Sequence, residues 1–237
     1  MTISAVLFDW DGTLVTNDPG AIGVAASAVE AYARKHLGVE VASGDFARAF
    51  QAVLPPSVPG ETETCPTIGR VIGEAFTWLG WPSGTNDVEA CARLFFDQGT
   101  RYQEVYDDAR ALLGSLKYRG YRVAVVSNAI FPGHFFRPKL NELGLAGYID
   151  SFVSSADVGL SKPNPAPYRR ALADIRAEPH EAIFVGDSPA TDIAGARNAG
   201  MRAVLLQRNT PVRDRSGFLV INRLTALNEV LGEGTVF

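Results

Sequence analysis

Six short apolar runs constrain this chain more than any other feature: residues 5–8, 123–126, 152–153, 183–185, 203–206 and 218–221. Such runs read as strands buried on both faces, the pattern of a parallel sheet rather than a half-wet antiparallel one. Helical patterns lie between most of them, for example at 109–118 and 168–175. The alternation predicts an α/β fold, a parallel sheet covered by helices.

The rhythm breaks after the first run. From residue 15 to about 106 no convincing strand appears, only amphipathic stretches at 21–36, 46–53, 67–79 and 88–103. LPPSVPGETETCP separates the second from the third, and GWPSGTN the third from the fourth. We therefore expect a helical domain, 16–105, inserted into a core made of 1–15 and 106–237. No internal repeat or low-complexity tail is visible.

Composition narrows the partners. With 46% hydrophobic and 20% charged residues the chain reads as an ordinary globular protein. A formal charge of −4 and the lack of any Lys/Arg run argue against a nucleic acid polymer or an anionic membrane as partner. Cys65 and Cys91 form no CxxC and are expected as idle thiols. The first residues, MTISAVLFDWDG, resemble neither a secretory signal nor a membrane span, so a cytoplasmic location is expected.

Three of the runs end in residues suited to chemistry. In AVLFDWDGT the first strand stops at Asp9, and Asp11 follows two positions on. Ligands of open α/β sheets sit beyond the carboxyl ends of the strands, so both aspartates are well placed. Two carboxylates this close need a cation, a proton or donors nearby. One could attack while the other moves protons. VAVVSNA ends in Ser127 and Asn128, whose hydroxyl and main-chain N–H groups could hold phosphate oxygens, or could simply cap a turn. In GLSKPNP, Lys162 is a compact point charge held towards extended backbone by the proline after it. In IFVGDSPATDIAGARNAGM a strand ends at Gly186-Asp187, Ser188 and Pro189 open a helix, and Gly200 stops it. Asp192, one turn in, should point back towards Asp187. Two such carboxylates suit a hard cation such as Mg²⁺.

Together, DWDGT, the Ser127 motif, Lys162 and GDSPATD resemble the four signature motifs of the haloacid dehalogenase-like hydrolases, and the insertion resembles their helical cap. The likeness implies a Rossmann-like core with a hinged cap and phosphatase activity on a small phosphorylated metabolite. Phosphoglycolate, sugar phosphates and nucleotides are all eligible. It further implies Asp9 as nucleophile, Asp11 as general acid and base, and Ser127, Asn128 and Lys162 as phosphate-binding residues. Mg²⁺ would be held by Asp9, the Asp11 carbonyl and Asp187, with Asp192 as a further ligand or as the residue that orients Lys162. The chain would act as a monomer or homodimer. Family dehalogenases lack a carboxylate two positions after the nucleophile, because a halide leaves without a proton. Asp11 therefore favours phosphatase over dehalogenase. A phosphomutase, or a silent binding module on the same scaffold, are the alternatives.

Other residues are given plainer expectations. Trp10 should pack away from the phosphate, and Trp78 and Trp81 should lie in the core of the insertion. Arg48, Arg70 and Arg93 are expected as surface charges, and Lys35 as a solvated residue rather than a Schiff base. His36, His134 and His180 receive no role.

Overall fold

Ala5–Phe8, the first apolar run, forms strand β1 with all four residues fully buried. Five more strands follow in a computed structural model that describes residues 2–55, 64–208 and 219–232. They are β2 (Arg122–Ser127), β3 (Ser151–Ser154), β4 (Ala182–Gly186), β5 (Arg202–Leu206) and β6 (Leu219–Ile221). All pair in parallel, in the order β3-β2-β1-β4-β5-β6. Phe218, which we expected to open the last strand, lies outside the described residues, as do 56–63 of the Pro/Gly-rich stretch.

The helices are α1 (Ala21–Tyr32), α2 (Asp45–Val53), α3 (Ile68–Leu79), α4 (Thr85–Gly99), α5 (Asp107–Tyr118), α6 (Phe136–Glu142), α7 (Ser155–Val158), α8 (Pro165–Asp174), α9 (Ala194–Asn198) and α10 (Leu227–Gly232). The chain divides into two compact units. One comprises Met1–Asn17, Pro59–Cys65 and Glu104–Phe237 and holds the sheet; the other comprises Asp18–Val58 and Pro66–Gln103 and is helical.

In the sheet unit, Ala5, Leu7, Ala124, Val126, Phe184 and Leu205 share one core cluster with Tyr168, Ala171 and Leu172 of α8 and Ala196 of α9. Leu112, Leu113 and Leu116 of α5 are fully buried too, and α5 packs on β2. Each leucine, valine or phenylalanine side chain removed from water stabilises the fold by about 1.5–3 kcal/mol, and covering both faces is what makes uninterrupted apolar strands possible.

The helical unit packs around aromatic rings: Phe46 meets Phe50, Phe76, Trp81 and Phe95 at centroid distances of 5.9, 5.9, 6.5 and 6.0 Å. One tryptophan departs from expectation. Trp81 is buried, but Trp78 is 58% exposed. The buried stripe of α3 is Ile68, Val71, Ile72, Ala75 and Phe76. Trp78 follows Phe76 by two positions, about 200° around the helix, so its ring leaves the stripe. Lys35 is exposed, Arg48 and Arg70 make surface pairs with Asp45 and Glu74, and neither Cys65 nor Cys91 forms a disulfide.

Candidate active site

The strand order reverses at β1, which lies between β2 and β4, and a crevice at the carboxyl edge is expected there. Asp9 extends β1 by one step, its N–H donating to the Val185 carbonyl of β4 at 2.9 Å. Its carboxylate is buried, and Oδ1 lies 2.6 Å from Nζ of Lys162. The same ammonium reaches Oδ1 of Asp192 at 2.7 Å. Three residues separated by up to 183 positions thus meet as one buried, charge-assisted group.

Burial pushes the Asp9 carboxyl up to about 7, and Asp192 adds to the rise while Lys162 opposes it. Burial alone would draw the Lys162 ammonium down, but the two carboxylates overcome it and hold the group up at about 12. Lys162 stays charged at neutral pH and Asp9 is poised near ionisation. The ammonium also lies 5.6 Å from the Phe184 ring centroid.

Lys162 is held at its other end as well. The Asn128 side chain accepts from the Lys162 N–H at 2.7 Å and donates to the Lys162 carbonyl at 3.1 Å. Only a primary amide offers donor and acceptor in that spacing. Ser127, the last residue of β2, is buried beside it in sequence.

Two glycines let carboxylates approach the backbone. Gly12 has a φ of 77°, and a Cβ there would lie 2.4 Å from Oδ2 of Asp187. A Cβ on Gly186 would lie 2.3 Å from Oδ2 of Asp192. That oxygen accepts from the Ser188 N–H at 3.0 Å. We expected a regular helix from Pro189; instead Pro189–Ile193 forms a wider π-type turn before α9, with Ile193 N–H on the Ser188 carbonyl. The Ser188 hydroxyl caps it, accepting from the Thr191 N–H.

Asp9, Asp187 and Asp192 each offer a carboxylate oxygen, all within 4.8 Å of one another. Partial burial and the Asp192 charge raise the Asp187 pKa, against the pull of Lys162 and Arg208. Two buried carboxylates share one ammonium and a third, on the exposed Asp187, stands beside them, which leaves an excess of negative charge at the site. Oxygen donors of this kind fit Mg²⁺, a hard divalent cation. Asp11 stands in the turn after Asp9, half-buried.

Sequence reasoning passed over a second cluster. Arg208, two residues beyond β5, donates from Nη1 to both carboxylate oxygens of Asp108 at 2.9 Å, and from Nη2 to the Thr13 carbonyl at 2.7 Å. Its guanidinium lies 3.8 Å from the Tyr106 ring centroid. The available signals, an arginine straight after a buried strand and a Tyr-Asp-Asp opening α5, form no local motif.

A profile described as haloacid dehalogenase-like hydrolase matches residues 3–200. Phosphoglycolate phosphatase of Rhodospirillum rubrum is 32% identical over 239 residues, covering 96% of this chain and 90% of that one. Phosphoserine phosphatase of Thermus thermophilus is 37% identical over 145 residues, covering 61% and 56%. Among solved structures, 2-haloacid dehalogenase from Pseudomonas syringae pv. tomato DC3000 superposes with a TM-score of 0.74 at 25% identity, covering 97% of this chain and 98% of that one.

Proposed function

Since this chain belongs to the haloacid dehalogenase-like hydrolase family, we propose that it is a phosphoric monoester hydrolase acting on a small phosphorylated metabolite through Asp9. One observation carries the reading: the Lys162 ammonium is seated between Asp9 and Asp192 at the tip of β1. In this reading the helical unit is the cap and the protein is cytoplasmic. No helix among the described residues is long and apolar enough to cross a membrane.

Phosphoryl transfer needs a placed nucleophile and compensation for charge on the equatorial oxygens. Asp9 attacks phosphorus and forms an aspartyl-phosphate, while Asp11 gives a proton to the departing alkoxide. Asp11 then takes a proton from water, which attacks the same phosphorus and frees Asp9. Lys162, the Ser127 hydroxyl and the Asn128 main-chain N–H hold the transferring group. Mg²⁺, held by Asp9, the Asp11 carbonyl and Asp187, would supply the further positive charge, with Asp192 as a ligand or as the anchor of Lys162. Asp11 separates this chemistry from dehalogenation, where the leaving halide takes no proton.

The test is phosphate release from a panel of phosphometabolites. The relative named phosphoglycolate phosphatase puts phosphoglycolate first on it, with sugar phosphates and nucleotides behind. Release should require Mg²⁺, stop in EDTA, and fall by roughly a thousandfold or more in Asp9→Asn. Undiminished turnover in that variant removes Asp9 from the mechanism.

A further inference from the structure

Thr13 is fully buried, and it follows directly on Gly12, where an added Cβ would collide with Asp187. Its hydroxyl has no hydrogen-bond partner, and its N–H makes only a long 3.3 Å bond to the Trp10 carbonyl. Main-chain bonds close the turn around it, Gly12 N–H to the Val15 carbonyl and Leu14 N–H to the Trp10 carbonyl at 2.9 Å, and the firmest tie on Thr13 itself is the 2.7 Å bond from Arg208 to its carbonyl. A charge-assisted bond of this kind is among the stronger ones in proteins.

Arg208 is itself fixed. Asp108 takes two bonds from one guanidinium nitrogen, and its Oδ2 also accepts from the Leu224 N–H at 2.7 Å. Tyr106 supports the flat face of the same group. A lysine could place a charge here, but it lacks a planar fork able to hold a carboxylate and a carbonyl together. Arginine thus reaches the turn that carries Asp11 from just beyond β5, and the aspartate and tyrosine at the start of α5 hold it there.

We propose that Arg208, seated on Asp108 and Tyr106, is a positioning residue for the reaction: it fixes the turn 11–13 and so aims the Asp11 carboxyl at the leaving group. The inference rests on the phosphatase reading above, with Asp11 as proton donor. It makes a prediction that a purely structural role does not. An alkyl phosphate needs a proton on its leaving oxygen, whereas p-nitrophenyl phosphate releases a stable phenolate without one.

Wild type, Arg208→Met, Arg208→Lys and Asp108→Asn should be compared on the best alkyl substrate and on p-nitrophenyl phosphate, with thermal midpoints measured alongside. Arg208→Met is expected to lower kcat on the alkyl phosphate by about a hundredfold, the cost of misplacing a reacting group by about an ångström. Its KM should change little, and its pre-steady-state burst of p-nitrophenolate, the step that does without Asp11, should change far less than its alkyl turnover. Arg208→Lys should regain the thermal midpoint without regaining alkyl turnover, and it decides the matter if the methionine variant does not fold. A p-nitrophenolate burst lost in proportion to alkyl turnover, or a lowered midpoint with kcat intact, overturns the proposal while leaving phosphatase activity standing. A wild type that releases phosphate from neither substrate overturns both.

Discussion

The two units bury charge in contrasting ways. In the helical unit Glu30 is 3% exposed, and its Oε1 accepts from the Phe46 N–H at 3.1 Å. Phe46 is the second residue of α2, whose N-cap position is Gly44 and supplies no side chain. Glu30 thus gives a distant helix the acceptor its own sequence omits, at the positive end of the dipole. Its charge is consumed by the fold. In the sheet unit the buried carboxylates of Asp9 and Asp192 share the single ammonium of Lys162, and the exposed Asp187 brings a carboxylate oxygen within 4.8 Å of theirs. Buried charge that is fully answered belongs to architecture, whereas buried charge left over has a ligand to meet.

Removing the charge in each unit tests that distinction. Lys162→Met strands two buried carboxylates and should cost about 3–5 kcal/mol at neutral pH in EDTA, along with phosphate release. Glu30→Gln keeps an acceptor on α2 and should cost about 1 kcal/mol or less, with turnover unchanged. Chemical denaturation of both variants measures the gap. Near-equal losses erase the contrast.

A pH series sharpens it. The folded pKa of Asp9 is raised by burial from 3.8 to about 7, so between those values the native chain holds a proton that the unfolded chain has lost. Stability contributed by that proton is present at low pH and falls as pH rises through the window. In EDTA, Asp9→Asn should therefore be more stable than wild type at pH 8, with the advantage shrinking towards pH 4. Thermal midpoints across that range decide it, and an advantage that grows on acidification reverses the sign.

The smallest effects come from one substitution made in both units. Gly186→Ala sets a methyl 2.3 Å from Asp192 Oδ2 and should cost about 1–3 kcal/mol as well as activity. Gly73→Ala, inside α3 with nothing within 4 Å of the added carbon, should stabilise by about 0.5–1 kcal/mol. Losses of the same sign at both positions make the glycine at the strand tip unexceptional.

Much of this was legible in the sequence for one reason: the residues that determine it are neighbours along the chain. Apolar runs marked the strands to within a residue or two, and the four long helices of the insertion showed their periodicity. At the site, GDSPATD keeps Asp187 and Asp192 five positions apart, so a turn brings them together. What stayed hidden depends on distant partners or on side chains that override local preference. Asn128 meets the Lys162 backbone across 34 positions, and Arg208 meets Thr13 across 195. Within the π-type turn Asp192 folds back onto Ser188 and Lys162, contacts that helix propensity does not register. Trp78 has the composition of a core residue and the phase of a surface one.

Trp10 is joined to Asp9 by a peptide bond and is fully buried, its ring 5.3 Å from Phe152 and 6.2 Å from Phe136 between centroids, its indole N–H unpartnered. Such a fluorophore emits from an apolar cage, as the buried Trp81 does, while Trp78 emits from water, so in a Trp81→Phe background wavelength separates Trp10 from Trp78. Any gain or loss of charge on the adjoining carboxylate alters the electric field across the caged ring. With Trp81 replaced, the chain carries an intrinsic optical gauge beside its own reacting group, readable without a label.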